Sequence, residues 1–462
     1  MAGNLVSRSL LKMRNIVAQA TGKSREPSEK TLERIRHQLE ECAIGLGGEI
    51  STRQRAARLA DTYLKLDDAG RHAMLRLIAL DFGPNPETVA QAHAAYQEAV
   101  GTDQQWNAEA QLRAAMRSQR LRILTQFNAI PQGVKFLVDL RADLLRFVVD
   151  DPLLKPLDRE LENRLTAWFD VGFLELRQIT WESPAALLER VIKYEAVHAI
   201  HSWQDLKNRL DSDRRCYAFF HPRMPLEPLI FVETALTETL ADNVQRLLDI
   251  NAPLGDPGKA DAAIFYSITN TQAGLRGVSF GNFLLKRVLA DLQRDFPRLR
   301  TFSTLSPLPG LIRWARQNPQ ELGAVLAAMS STERKKLLAS DAGRSEADLV
   351  AALLGADIEW PENEKLLAAL HEPLLRLAAR YLTEAKRGDR PYDAVARFHL
   401  GNGARIERLN WQADTSANGY AQSWGIMVNY LYDPDDIEAN LEAYARHGKI
   451  DTSSAVRRQA RH

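Results

Sequence analysis

Three glycines fall within eight residues, Gly274-Leu275-Arg276-Gly277-Val278-Ser279-Phe280-Gly281, directly before a helical pattern, and such a loop could hold phosphate. Glycine lets backbone N–H groups approach an anion closely, and the unpaired N–H groups and dipole of the following helix stabilise its charge. The spacing is neither GxGxxG nor GxxxxGK(S/T), so it gives no support to a dinucleotide or P-loop site, and glycines that only turn the chain are the plain alternative. Downstream, Thr304-Leu305-Ser306-Pro307-Leu308-Pro309-Gly310 uses two prolines to fix a loop that presents Ser306. Ser306 lacks the GxSxG setting of an acylated nucleophile, which leaves hydrogen bonding, proton handling or the capping of a turn. His399, beside Gly401-Asn402-Gly403, is either a proton donor near neutral pH or a structural edge histidine. His198 and His201 have the spacing of a ligand pair on a helix, but neither an HExxH pattern nor a nearby cysteine accompanies them, so no metal is expected. His221 and Glu227, in the proline-rich segment Phe220 to Pro228, either line a pocket or stabilise a bend.

Two kinds of segment must position these residues. From about Ser28 to Ile192 apolar residues recur at helical spacing, as in Leu32, Ile35, Leu39, Cys42 and again in Leu137, Leu140, Leu144, Val148. Breaks at Gly47-Gly48, Gly83 to Pro86, Ile130-Pro131 and Ser183-Pro184 divide this half into helices of a bundle, without a cluster that suggests chemistry. Beyond it the spacing predicts strands at Cys216 to Phe220, Leu229 to Val232 and Ala262 to Ile268, a helix over Asn282 to Phe296, and a strand at Leu299 to Leu305. Strand, glycine loop, helix, strand is a crossover that makes both strands parallel, with their C-terminal ends on one rim where ligands usually bind. Pro319 to Arg387 is helical again. Strands are expected at Ala394 to Leu400 and Ala404 to Trp411, joined by a hairpin turn at Gly401-Asn402-Gly403 with His399 beside it. A strand over Trp424 to Tyr432 and a helix over Ile437 to Arg446 follow. The expected fold class is therefore α plus α/β: an all-helical N-terminal bundle at 1–185, then a mixed α/β domain at 186–462 with a helical insertion at about 319–387.

The chain's 462 residues are too many for a single small module. Sixty basic against fifty-nine acidic residues leave a net charge of +1, with no overall field for a polyanion, so nucleic acid is not the expected partner. Two cysteines, Cys42 and Cys216, do not make a disulfide-stapled scaffold, and a reducing compartment fits better. No stretch approaches the run of about eighteen apolar residues that spans a bilayer, and the mean hydropathy of -0.31 agrees. A soluble protein without a membrane partner is expected, cytoplasmic by default. Arg8, Lys12, Arg14, Lys23 and Arg25 precede the first acid, Glu26; this is the composition of an organelle presequence, or more plainly of a basic first helix. Ala460-Arg461-His462 matches no peroxisomal or retention signal.

Longer blocks carry a resemblance. FYSITNTQAGLRGVSFGNFLLKRVLADLQRDFPRL from Phe265, TFSTLSPLPG from Thr301, RFHLGNGARIERLNWQAD from Arg397 and VNYLY from Val428 resemble the malonyl-CoA decarboxylases. GVKFLVDLRADLL from Gly133 and HPRMPLEPLIFVETALT from His221 extend the resemblance in order along the chain, over about Ser51 to Tyr432. It implies a helical domain used in oligomerisation, giving a dimer or tetramer, and a C-terminal domain of the GNAT acetyltransferase fold that binds acyl-CoA. It also implies catalytic roles for Ser306, His399 and Tyr432, and a CoA-binding loop of Arg276, Gly277, Val278, Ser279, Phe280, Gly281 and Asn282. Tyr432 on pattern alone would be an ordinary strand-end aromatic. Animal members carry a glutamate where Ser279 stands, a departure that removes the acid from this position. The implied reaction is decarboxylation of malonyl-CoA to acetyl-CoA and CO2, which requires no metal or redox cofactor. Two other readings share the acyl-CoA domain: transfer of an acyl group from CoA to an amine, and non-catalytic sensing of acyl-CoA.

Overall fold

The structure, a computed structural model, describes residues 27–44, 48–278, 283–340, 346–355 and 363–461. The basic segment before Glu26 and residues 279–282 of the glycine-rich loop lie outside the described residues. The described chain forms two compact units. One holds the residues up to Leu174, His221–Pro225 and 272–278; the other holds Glu175–Phe220, Leu226–Thr271 and the residues from 283 onward.

The first unit is a helical bundle of α1 (Glu29–Ile44), α2 (Glu49–Lys65), α3 (Asp68–Asp81), α4 (Pro86–Ala99), α5 (Gln105–Ala115), α6 (Gln119–Phe127), α7 (Gly133–Phe147) and α8 (Lys155–Trp168). Local chemistry sets the ends: Asp67 and Asn85 cap α3 and α4 by accepting the N–H groups of Gly70 and Thr88. Pro86 opens α4, where its missing N–H costs nothing. Ile35, Leu39, Leu59, Leu75, Ile78, Leu124, Leu137, Leu144 and Leu161 are fully buried. The helical pair α4 and α5 differs, because its helices pack on each other while α4 buries no residue and α5 buries only Ala108.

The second unit is mixed α/β. Its eight-stranded sheet has the order β1 (Glu175–Ile179), β2 (Arg214–Phe220), β3 (Ile230–Thr237), β4 (Ala262–Asn270), β5 (Thr301–Thr304), β10 (Met427–Leu431), β6 (Ser306–Pro307), with β9 (Arg405–Asn410) also on β10. A separate pair joins β7 (Lys386–Arg387) to β8 (Arg390–Pro391). β1 interrupts the stretch whose spacing predicts only helix up to Ile192. β4 and β5 are parallel, in register from Ala262 opposite Thr301 to Phe265 opposite Thr304, as the crossover requires. The remaining pairs in this sheet are antiparallel. Around it lie α9 (Ala185–Tyr194), α10 (Trp203–Arg209), α11 (Val244–Leu248) and the crossover helix α12 (Phe283–Asp295). Then come α13 (Leu311–Gln317), α14 (Pro319–Ala327), α15 (Ser331–Ser340), α16 (Glu346–Leu354) and α17 (Glu364–Thr383). The C-terminal part adds α18 (Ala394–Leu400), α19 (Ala417–Ser423), α20 (Ile437–His447) and α21 (Ser454–Arg461).

Three expectations are corrected here. Ala394–Leu400 is a helix, and Gly401-Asn402-Gly403 closes that helix instead of turning a hairpin. Asp393 accepts the N–H of Ala396 at 2.8 Å, which caps the first turn, and buried Ala396, His399 and Leu400 share one helical face. Gly403 takes φ +85 at the exit, where a Cβ would lie 2.4 Å from the Ile437 carbonyl oxygen. The last sheet strand begins at Met427, because Trp424 ends α19 in the left-handed region at φ 53. His198 and His201 run through a loop, so they share no helix face. Among the described residues no helix is long and apolar enough to cross a membrane, and no group of three or more His, Cys, Asp or Glu is placed to hold a metal ion. Cys42 and Cys216 are both buried and free.

Candidate active site

The site begins where two parallel strands part. The N–H of Leu305 bonds the Phe265 carbonyl, and beyond this level β4 stays with β3 to Asn270 while Ser306 pairs with Val428 of β10. Ser306 thus sits on the C-terminal rim of the parallel pair, the usual place for a ligand. Asn429 ties this edge together, donating to the Thr304 and Ala241 carbonyls at 2.7 and 3.1 Å.

His399 reaches the same point from α18. The N-terminus of that helix is fixed by Asp393, which also accepts from Tyr381 Oη at 2.9 Å. Tyr430 stacks on the imidazole, with ring centroids 4.5 Å apart and 24° between planes. Tyr432, two residues along the strand direction and therefore on the same face, places its Oη 2.7 Å from His399 Nδ1. His399 Nε2 in turn lies 3.1 Å from Ser306 Oγ, and Ser306 donates to Thr304 Oγ1 at 2.9 Å. The Tyr430 N–H also donates to Thr304 Oγ1, at 3.1 Å.

Counting protons orients this chain. A serine hydroxyl has one hydrogen, so with Ser306 donating to Thr304 its oxygen accepts from His399 Nε2–H. Nδ1 is then the acceptor for the Tyr432 hydroxyl. Burial, with no ion nearby to offset it, pushes the His399 imidazole down to about 3, so the ring is neutral at pH 7. Burial likewise pushes the Tyr432 and Tyr430 hydroxyls well up, so both keep their protons. The result is a neutral row of donors from Tyr432 through His399 to Ser306, with Ser306 6 % exposed at its end. Tyr430 Oη is buried with no hydrogen-bond partner among the described residues.

The structure therefore brings Ser306, His399 and Tyr432 together. Thr304, Asp393, Asn429 and Tyr430 complete the arrangement and were missed from sequence, although the alternation of VNYLY places Tyr430 and Tyr432 on one strand face. Arg276, Gly277 and Val278 belong to the helical unit. Here Ala273–Leu275 makes one 3₁₀ turn, and Gly277 has φ +88, which favours glycine. The N–H groups of Arg276 and Val278 bond the carbonyls of Ala273 and Leu275, so they are engaged within the turn. Ser279, Phe280, Gly281 and Asn282 lie outside the described residues. His221 is structural: its Nδ1 accepts the Arg223 N–H at 3.1 Å, leaving Nε2–H for the Trp168 carbonyl at 3.2 Å. Glu227 pairs with Arg190 at 3.0 Å and accepts from Tyr194.

Comparison with known proteins matches residues 82–169 to the N-terminal domain model of malonyl-CoA decarboxylase and residues 172–462 to its C-terminal domain model. The mitochondrial malonyl-CoA decarboxylase of Anser anser anser is 38% identical over 418 residues, covering 87% of this chain and 82% of its own. That of Mus musculus is 35% identical over 424 residues, covering 87% and 84%. A malonyl-CoA decarboxylase crystal structure from Rhodopseudomonas palustris superposes with a TM-score of 0.81 at 38% identity, over 92% of this chain and 99% of that one. Another, from Cupriavidus metallidurans, gives 0.69 at 42% identity, over 93% and 100%. With both domain models matched in order and relatives this similar over most of their length, the chain belongs to the malonyl-CoA decarboxylase family.

Proposed function

We propose that this protein converts malonyl-CoA to acetyl-CoA and CO2. The observation that carries the reading is the buried row Tyr432, His399, Ser306 in a member of this family. In the reaction the bond between the carboxylate carbon and the methylene carbon breaks, neutral CO2 leaves, and the electron pair passes into the thioester as an enolate. A poorly polar pocket favours loss of the charged carboxylate as CO2, and hydrogen bonds to the thioester oxygen stabilise the enolate. The enolate carbon then takes one proton. Ser306 turns its hydroxyl from Thr304 to that carbon and gives up its hydrogen, His399 Nε2–H replaces it, and Tyr432 returns a proton to Nδ1. A proton from solvent then enters at Ser306, the open end of the row, and passes back along it, which restores His399 Nε2–H and the Tyr432 hydroxyl. The imidazole is neutral before and after, which suits its burial. Residues 276–282 are read as the contact for CoA, with the family resemblance in support.

The second unit is read as a GNAT-type acyl-CoA fold. The support is one parallel pair, β4 and β5, in an otherwise antiparallel sheet, with the site where that pair parts. Incubating purified protein with malonyl-CoA alone, followed by mass spectrometry, should yield acetyl-CoA without acceptor or nucleotide. Only background acetyl-CoA from protein that binds CoA overturns the reading, as does product that forms only when an amine is supplied.

A homo-oligomer, dimer or tetramer, assembled through the helical unit is part of the same proposal. The pair α4 and α5, which buries almost nothing, supports it: Trp106 of α5 is 79% exposed, and Val100 and Met116, the residues that end α4 and α5, are also open. Stable subunit contacts commonly bury over about 2,000 Å² and favour such aromatic anchors. Light scattering should show an oligomer at micromolar concentration and smaller species for Trp106→Glu with unchanged helicity. A monomeric parent protein overturns the assignment.

A further inference from the structure

Ser306 and His399 stand 93 residues apart in the chain, on either side of the helical insertion, and the proton row depends on their 3.1 Å contact. The last helix of that insertion, α17, meets the supports of both. Its Tyr381 is fully buried, and burial pushes the hydroxyl well up, so it stays a donor. That hydroxyl donates to Asp393 Oδ2 at 2.9 Å, while Asp393 Oδ1 accepts the Ala396 N–H at 2.8 Å and so caps the helix that carries His399.

The same hydroxyl fits against the end of the Ser306 loop. Gly310 closes that loop as the N-cap of α13, its carbonyl accepting the Trp314 N–H at 2.9 Å. A Cβ on Gly310 would lie 2.4 Å from Tyr381 Oη, against 3.6 Å from Tyr381 Cζ and from Asp393 Oδ2. The φ of Gly310, −104°, lies outside the left-handed region, so glycine is needed here to admit the hydroxyl and not to relieve the backbone. Trp314 of α13 packs its ring on Tyr381 at 5.2 Å and 46°. A second tie runs beside the first: Tyr392, the residue before Asp393, donates its hydroxyl at 2.9 Å to Oε1 of Gln317, the last residue of α13.

We infer that Tyr381 is a positioning residue for the decarboxylation: it locks the Ser306 loop to the cap of the His399 helix, and so sets the distance across which Ser306 and His399 exchange a proton. The helical insertion is then part of the active site's frame, and the glycine of the Ser-Pro-x-Pro-Gly loop is the space into which its hydroxyl fits. This rests on the reading of Ser306 and His399 as one proton path. A proton passes efficiently only between heavy atoms within hydrogen-bond reach, and 3.1 Å is already near the long end of that range.

The test is a double-mutant cycle in full-length protein. Tyr381→Phe removes only the hydroxyl and should lower kcat by about 10- to 100-fold, the scale of loss when reacting groups are slightly misplaced, with KM for malonyl-CoA within about 3-fold of the parent. Gly310→Ala sets a methyl group against Tyr381 Oη and should have a similar effect on kcat while the tyrosine is intact. With Tyr381→Phe in place the nearest neighbours of that methyl are 3.6 Å away, so adding Gly310→Ala should cost less than about 2-fold more. A merely structural tyrosine predicts lower stability with kcat unmoved, and unconnected residues predict losses that multiply. Either result overturns the inference, as does Gly310→Ala alone turning over like the parent. A crystal structure of Tyr381→Phe should show Ser306 Oγ and His399 Nε2 more than about 3.5 Å apart, outside hydrogen-bond reach, and an unchanged contact overturns the inference as well. That separation is read without turnover, so failure of the parent to decarboxylate malonyl-CoA would count against the proposed reaction and leave this result readable.

Discussion

His399→Ala should lower kcat by about 10²- to 10⁴-fold, or roughly 3 to 5 kcal/mol of barrier, with a much smaller change in KM. The imidazole is the middle of a single row. Without it the Ser306 hydroxyl has nothing to replace the proton it gives, and Tyr432 Oη has lost its 2.7 Å partner. Ser306→Ala removes the group at the open end of the row and should cost a similar factor. The sharper test is the double variant. Residues acting as one unit lose their effect together, so Ser306→Ala with His399→Ala should be little slower than either single variant. Losses that multiply would mean that the two residues act independently, and near-normal turnover of His399→Ala would remove it from the proton path.

Much of this site was legible in the sequence, and the reasons for the rest are local. Ser306 announces itself through the prolines at 307 and 309, which leave the chain few conformations and hold one serine at a strand end. His399 was found for the wrong structural reason. Gly401-Asn402-Gly403 has the composition of a hairpin turn, yet the same residues serve equally well after a helix, and α18 has too few residues for periodicity to separate the two. Its decisive signal is Asp393, a helix cap three residues before Ala396. The bundle was predicted to hold no chemistry because its apolar stripes are what periodicity detects. Arg141 of α7 lies on such a stripe, and the carbonyls its buried guanidinium donates to, those of Gly274 and Arg276, are 133 and 135 residues away, so no local pattern connects them. β1 was hidden in the same way, as one short strand whose partners are the residues of β2. The glycine-rich loop shows the ambiguity most plainly: one composition suits both an anion cradle and close packing, and Gly274, where a Cβ would lie 1.8 Å from the Val138 carbonyl oxygen, serves the packing.

Burial of a neutral His399 also makes stability depend on pH in a definite direction. Its folded-state value is pushed down to about 3 from an ordinary value of 6.5, so between these limits the unfolded chain binds a proton that the native protein refuses. Stability therefore rises with pH across that window and is lost as pH falls through it, with nothing left to gain above about 7. Tyr430 and Tyr432 do not offset this, since both stay protonated over the same range and neither carries charge. Burial raises the Asp393 carboxyl, which acts in the opposite direction, but Asp393 is present in the parent and in a His399 variant alike and drops out of their comparison. Glutamine at this position has no proton to bind. Denaturant unfolding at pH 7 and pH 5 should then show the parent losing about 2 kcal/mol relative to His399→Gln. The same burial predicts that kcat of the parent shows no acid limb near 6.5 from this imidazole. Parallel loss of stability in the two proteins, or an activity limb near 6.5 that disappears with His399, would mean that the imidazole titrates freely and that a charged histidine, not a neutral relay, delivers the proton.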